Sequence, residues 1–139
     1  MSSGTHDGHG RVHAAMHHHG PASPQLATRL RRQLTEWARD EGLPADTTYD
    51  IGLACYEAMA NTVTHAYPSG TIGPLELHAR LDSGSVEVTV ADRGRWQEGA
   101  VGSGGGHGLT LIRRLTAHSE VQRGEYGTTV RMSWPRKTA

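Results

Sequence analysis

The stretch Leu75-Glu76-Leu77-His78-Ala79-Arg80-Leu81, the short Asp82-Ser83-Gly84, and the stretch from Val86 through Val88 and Val90 to Asp92 decide the fold. In both long stretches apolar side chains alternate with polar ones, the period of a strand with one buried and one wet face. Asp, Ser and Gly between them are turn formers, so the economical reading is an antiparallel hairpin that ends on Asp92.

Downstream, Arg93 to Gly106 has no periodicity and much glycine. This reads as a long loop, and long loops in compact domains usually carry function. A helix is expected over about 109–117 on Leu111, Ile112 and Leu115, then two short strands over about 120–123 and 128–134 around a turn at Gly124 and Gly127. Upstream, Pro68, Gly70, Gly73 and Pro74 break the chain. Before them a helix is expected from near Asp46 to about Ala66, with Leu53, Tyr56, Met59, Ala60 and Val63 available for the core. An earlier helix should start at Ser23-Pro24, where serine accepts from an orphan amide and proline has none to orphan. It carries the apolar stripe Leu26, Leu30, Leu34 and Trp37 and stops at Gly42 and Pro44. The order helix, helix, two strands, helix, two strands predicts an α+β fold: a two-layer α/β sandwich with a mixed, mostly antiparallel sheet.

Residues 1–22 contain six histidines (His6, His9, His13, His17, His18 and His19) among glycine and serine, without apolar periodicity. They read as a disordered tail ahead of a domain over 23–135, with 136–139 a short C-terminal tail. Imidazoles can bind Zn²⁺ or Ni²⁺, yet no neighbouring carboxylate or thiol cluster completes a site in this tract.

With 139 residues the chain fits one domain. Lys plus Arg and Asp plus Glu number 14 each, so no basic field exists to hold nucleic acid. The single cysteine, Cys55, has no partner for an intrachain disulfide, and no stretch approaches the roughly 18 apolar residues of a membrane span. A cytoplasmic protein without nucleic-acid or membrane partners is expected. Eighteen glycines and no phenylalanine are unusual, and the glycines should have jobs.

Three features carry chemistry. In Glu57-Ala58-Met59-Ala60-Asn61-Thr62-Val63-Thr64-His65 polar side chains recur every fourth residue and would share one helix face. Alone, such a row is more often the solvated side of a helix. Asp92-Arg93-Gly94 places a carboxylate at a strand end, where it could accept an exocyclic amine or simply make a turn. Gly102-Ser103-Gly104-Gly105-Gly106-His107-Gly108-Leu109 opens directly into a helix, and bare amides with the helix dipole suit phosphate. It lacks the spacing of a dinucleotide-binding loop and the Lys-Ser/Thr pair of a P-loop.

In this order the features resemble the boxes of the GHKL superfamily of histidine kinase-like ATPases, whose ATP-binding domain is the Bergerat-type fold. Glu57 and Asn61 followed by His65-Ala66-Tyr67 resemble the N box, Asp92-x-Gly94 the first glycine box, and Gly104-x-Gly106-x-Gly108-Leu109 the second. Gly127-Thr128-Thr129 resembles the final glycine-threonine element. The resemblance covers about residues 23–135. Within the superfamily the Asn-x-x-x-His-Ala-Tyr ending is most similar to anti-sigma factor serine/threonine kinases.

The resemblance implies ATP and Mg²⁺ as cofactors. Asn61 would be the metal ligand, a hard oxygen donor for Mg²⁺. Asp92 would bind the adenine amine with Thr128 at the adenine edge, and Gly94, Gly104, Gly106, His107, Gly108 and Leu109 would surround the nucleotide. Glu57 would be the catalytic base, taking a proton from a substrate hydroxyl during transfer of the γ-phosphoryl group. The implied substrate is a STAS-type anti-anti-sigma factor, the implied second partner a sigma factor held inactive, and the implied assembly a homodimer that regulates transcription. His65 reads as structural. The chain departs from the first glycine box at Arg95, where a second glycine is usual. This departure motivates the alternative of a non-catalytic regulatory binding module with weak or no ATP use, and a third reading is an ATPase without a protein substrate.

Overall fold

The computed structural model describes residues 12–95 and 106–136. In chain order these form β1 (Val12–Pro21), α1 (Pro24–Asp40), α2 (Ala45–Asn61), a single π-helical turn (Thr62–Ala66), β2 (Pro74–Asp82), β3 (Ser85–Asp92), α3 (Gly106–Leu115), β4 (His118–Gly124) and β5 (Gly127–Pro135). The strands make one sheet in the order β1-β2-β3-β5-β4, and all four pairings are antiparallel. The helices lie on one side, as expected for a two-layer α+β fold.

The central hairpin forms as the alternation requires. Leu75, Leu77, Ala79 and Leu81 of β2 and Val86, Val88 and Val90 of β3 are buried against the helices. The Asp82 carboxylate closes the turn by accepting from the amides of Gly84 and Ser85. Burial alone would raise the pKa of Asp82, but these two hydrogen bonds and the Arg80 charge outweigh it and hold the carboxyl below its ordinary value. Val130, Met132 and Trp134 of β5 continue the buried surface. With no phenylalanine in the chain, leucine, valine and methionine fill the core. The Trp134 indole N–H donates to the Leu115 carbonyl, the polar partner a buried indole needs.

Helix α1 starts where Ser23 Oγ accepts from the Leu26 amide, ends at Asp40 and is followed by Gly42, whose φ of 88° suits glycine. Its buried face is Leu26, Ala27, Leu30, Leu34 and Ala38, while Trp37 packs only partly against the core. On α2 the buried set is Thr48, Ile51, Gly52, Ala54, Cys55, Ala58 and Met59. Leu53, Tyr56, Ala60 and Val63 are half-buried, so of the five expected core residues only Met59 is fully inside. The cause is size: alanine, glycine and cysteine make up most of the buried face of this helix, so its apolar stripe does not stand out from its other faces.

Two expectations need correction. Helix α2 does not continue regularly to Ala66; its α-helical hydrogen bonding stops at Asn61 and one π turn follows. Thr62, Val63 and Thr64 are consecutive β-branched residues that crowd the preceding turn, which disfavours regular α-helix there. Residues 12–21 of the presumed disordered tail form β1 instead, paired with β2 from Val12↔Asp82 to Pro21↔Pro74. Ala14 and Met16 face the helical layer and pack on the core, while His13, Ala15, His17 and His19 face outward. The strand's inner face is thus apolar, but its small side chains make a weak pattern among so many histidines.

Candidate functional site

The hairpin end, the π turn and the start of β5 converge on Asp92. Its side chain is only 7% exposed, on the helical side of the sheet. Oδ1 accepts from the backbone amides of Gly94 (3.0 Å) and Thr128 (3.2 Å), and Oδ2 accepts from the Thr62 hydroxyl (3.0 Å). Such bonds are what a buried carboxylate requires, because desolvating an unpaired charge is costly. Held by these bonds, the carboxylate is fixed in one orientation at the strand end, an acceptor of the kind an exocyclic amine pairs with.

Glycine is sterically required at two positions around this carboxylate. A Cβ on Gly94 would lie 2.0 Å from the Ala66 carbonyl oxygen. Gly127 has φ of 152°, and its Cβ would lie 2.1 Å from the Asp92 carbonyl oxygen. The next residue, Arg95, donates its amide to Ala66 O at 2.9 Å with its side chain exposed. The close approach between the strand end and the π turn is therefore set at Gly94 and by the Arg95 backbone, and the Arg95 side chain does not obstruct it.

Tyr67 clamps the same junction. Its hydroxyl donates to the Pro74 carbonyl and accepts from the Arg93 amide at 2.9 Å. Burial raises its pKa and the Asp92 charge adds to this, opposed by the Arg93 amide and the Arg93 charge.

Glu57 and Asn61 lie one turn apart on α2, both half-buried. Asn61 Nδ2 is buried and has no hydrogen-bond partner among the described residues. An amide left this way is destabilising by about 1–3 kcal/mol, so a native structure that retains it invites a ligand acceptor. That donor suits an anionic oxygen, and the same side chain's Oδ1 suits a hard cation. His65 sits half-buried in the π turn, so the last step of the polar row is not an α-helical one.

Helix α3 runs from Gly106 to Leu115 instead of the expected 109–117, so Gly106, His107 and Gly108 form its first turn and the end of the glycine-rich stretch is the helix N-terminus itself. Gly104, like Trp96, lies outside the described residues. Leu109 is buried in the core, so its side chain packs and only its backbone is available to a ligand. Thr128 is 2% exposed and acts on Asp92 through its amide. Sequence reasoning missed Thr62, because a threonine beside Asn61 carries no periodic signal. Tyr67 was visible only as part of a motif.

Residues 20–134 match the histidine kinase-like ATPase domain family. The chain belongs to this family. Membership implies ATP use, and no helix among the described residues is long and apolar enough to cross a membrane. The chain is 30% identical over 74 residues to the serine-protein kinase RsbW of Oceanobacillus iheyensis, covering 53% of this chain and 47% of that one. It is 32% identical to the serine-protein kinase RsbW of Bacillus subtilis, also over 74 residues, covering 53% and 46%. The chain thus matches about half the length of these relatives. The solved structure of the RsbU and RsbW domains of Rv1364c from Mycobacterium tuberculosis aligns over 90% of this chain and 34% of that one, with TM-score 0.73 and 26% identity. The family assignment and this structural likeness bear out the resemblance to histidine kinase-like ATPases drawn from the sequence.

Proposed function

We propose that this histidine kinase-like ATPase domain is a serine/threonine kinase that uses Mg²⁺-ATP to phosphorylate a STAS-type anti-anti-sigma factor and that sequesters a sigma factor. The observation that carries the reading is the buried amide of Asn61, without a partner among the described residues, one helical turn after Glu57. The similarity to serine-protein kinases named RsbW supports it.

Each residue then has a chemical task. Asn61 would hold Mg²⁺ through Oδ1, and the cation would supply charge neutralisation at the phosphates. Asp92, fixed by the amides of Gly94 and Thr128 and the hydroxyl of Thr62, would accept the adenine amine. The start of α3 at Gly106, His107 and Gly108 would offer backbone amides to phosphate oxygens. Glu57 would accept the proton of the substrate hydroxyl.

The test is transfer of labelled phosphate from ATP to a candidate STAS domain, with and without Mg²⁺. Transfer should depend on Mg²⁺ and fall at least a hundredfold in Glu57→Ala, while Asn61→Ala should also lose Mg²⁺-ATP binding by calorimetry. Tight nucleotide binding with no transfer to any STAS domain encoded in the same genome would overturn the kinase reading and leave a regulatory module.

A further inference from the structure

The outward face of β1 and β2 gathers groups that the sequence keeps far apart. Register sets His17 directly opposite His78, and His19 opposite Glu76. Side chains two apart on a strand share a face, so these four form a two-by-two patch. Within it His17 Nε2 lies 2.9 Å from Glu76 Oε2, and His78 Nε2 lies 3.8 Å from that same oxygen. The ligand atoms of His17, Glu76 and His78 all fall within 4.8 Å of one another. The rings of His17 and His78 stack with centroids 3.8 Å apart, and the ring of His19 is 5.9 Å from that of His17.

We infer that His17, Glu76 and His78 form a binding site for a divalent transition metal. A tetrahedral ion bound at about 2.1 Å sets its ligand atoms about 3.4 Å apart, from standard Zn–N and Zn–O lengths. The two separations from the Glu76 oxygen, 2.9 and 3.8 Å, straddle that figure. Side-chain rotation alone closes the difference, because His17 and His78 are exposed and Glu76 is half-buried. Two imidazoles and one carboxylate select Zn²⁺, Co²⁺, Ni²⁺ or Cu²⁺ over the hard ions Mg²⁺ and Ca²⁺. The missing carboxylate of the histidine tract is thus supplied by β2, 59 residues further along the chain.

The site lies apart from the Asp92 cluster. His17, Glu76 and His78 point away from the helices, whereas Thr62 and Asp92 are buried on the helical side. Its ligands come from two strands, so a bound ion ties β1 to the sheet. His17 and Glu76 also border an open groove of about 650 Å³ that extends along the sheet to Asp92 and Gly127, so the two sites are separate in their side chains but share this groove.

Titration of the full chain, freed of metal by chelation, with Co²⁺ tests this through visible absorption. One Co²⁺ per chain should bind, with intensified bands of a low-coordinate nitrogen and oxygen site, and Zn²⁺ should displace it. His17→Ala, His78→Ala and Glu76→Gln should each weaken binding at least tenfold, while His6→Ala, His9→Ala and His13→Ala leave it unchanged. Zn²⁺ should also slow amide hydrogen exchange in β1 of the parent chain and not of His78→Ala. Binding that follows the histidines before His17, or that is indifferent to Glu76→Gln and His78→Ala alike, would overturn the assignment. So would the absence of saturable Co²⁺ binding below millimolar concentration.

Discussion

The hydroxyl of Thr62 donates to Oδ2 of Asp92 across 3.0 Å, with both side chains buried. This bond ties the first residue of the π turn to the last residue of β3, two elements 30 residues apart. Thr62→Val keeps the shape and removes the donor. It should lower stability by about 1–3 kcal/mol in urea unfolding, as loss of a buried hydrogen bond to a charged group does. On the proposed function it should also weaken ATP binding. Thr62→Ser should restore most of both.

Gly94→Ala should be among the harsher single substitutions, about 3 kcal/mol or more, because its Cβ would meet backbone at 2.0 Å and neither partner can rotate away. Arg95→Gly should change stability by less than about 1 kcal/mol, since the Arg95 contact with Ala66 is made by its amide. Thermal melts of the two variants side by side check the contrast. Comparable losses would contradict this account of the junction.

Asn61→Ala should separate stability from ligand binding. Removing a buried amide without a partner relieves a penalty of about 1–3 kcal/mol, set against a small cavity. The variant's melting temperature should therefore equal or exceed that of the parent chain, while its affinity for Mg²⁺-ATP is lost. A marked drop in melting temperature without nucleotide would show that Nδ2 does have a partner.

Tyr67 gives the junction an alkaline limit. Burial first, and the Asp92 charge after it, raise the phenol above its ordinary value of about 10. A group whose pKa is higher folded than unfolded contributes stability fully below the unfolded value. That contribution is lost as pH rises through the folded value. Stability measured from pH 8 to 11.5 should show this loss on its alkaline side, and Tyr67→Phe should lack it. The same variant should be about 1 kcal/mol less stable at neutral pH, having lost its bond to Pro74.

Cys55 is fully buried, and burial alone drives its thiol pKa strongly upward, so it stays protonated at neutral pH. A disulfide reagent should modify it only through unfolding of the surrounding core, at a rate that rises with denaturant as the core opens. Fast modification of the native chain would contradict the packing of α2.

The parts of this fold that sequence alone discloses are those where local and tertiary demands coincide. The β2–β3 hairpin alternates because one face meets the helices and the other meets water, and its turn residues agree. Helix α1 announces itself by Ser23, Pro24 and Gly42. The relation of Asp92 to Gly94 is also legible, being two residues apart. What stays hidden is set by contacts at long range. Thr62 and Thr128 reach Asp92 only after the sheet is assembled. The buried face of α2 is masked by its small side chains, and its π turn depends on a crowding that propensity weighs only weakly. Strand β1 was obscured because its inner face is Ala14 and Met16, while its histidines suggest a solvated tract.

The position of β1 has a consequence for how the chain matures during synthesis. His17 leaves the ribosome 59 residues ahead of Glu76, its partner across the sheet. At 5–20 residues per second, that interval is about 3–12 s. Until β2 exists, β1 has no ladder to join, and the α1–α2 pair can already pack. The strand that comes before every described helix in sequence is thus expected to be annealed late, as the closing seam of the sheet.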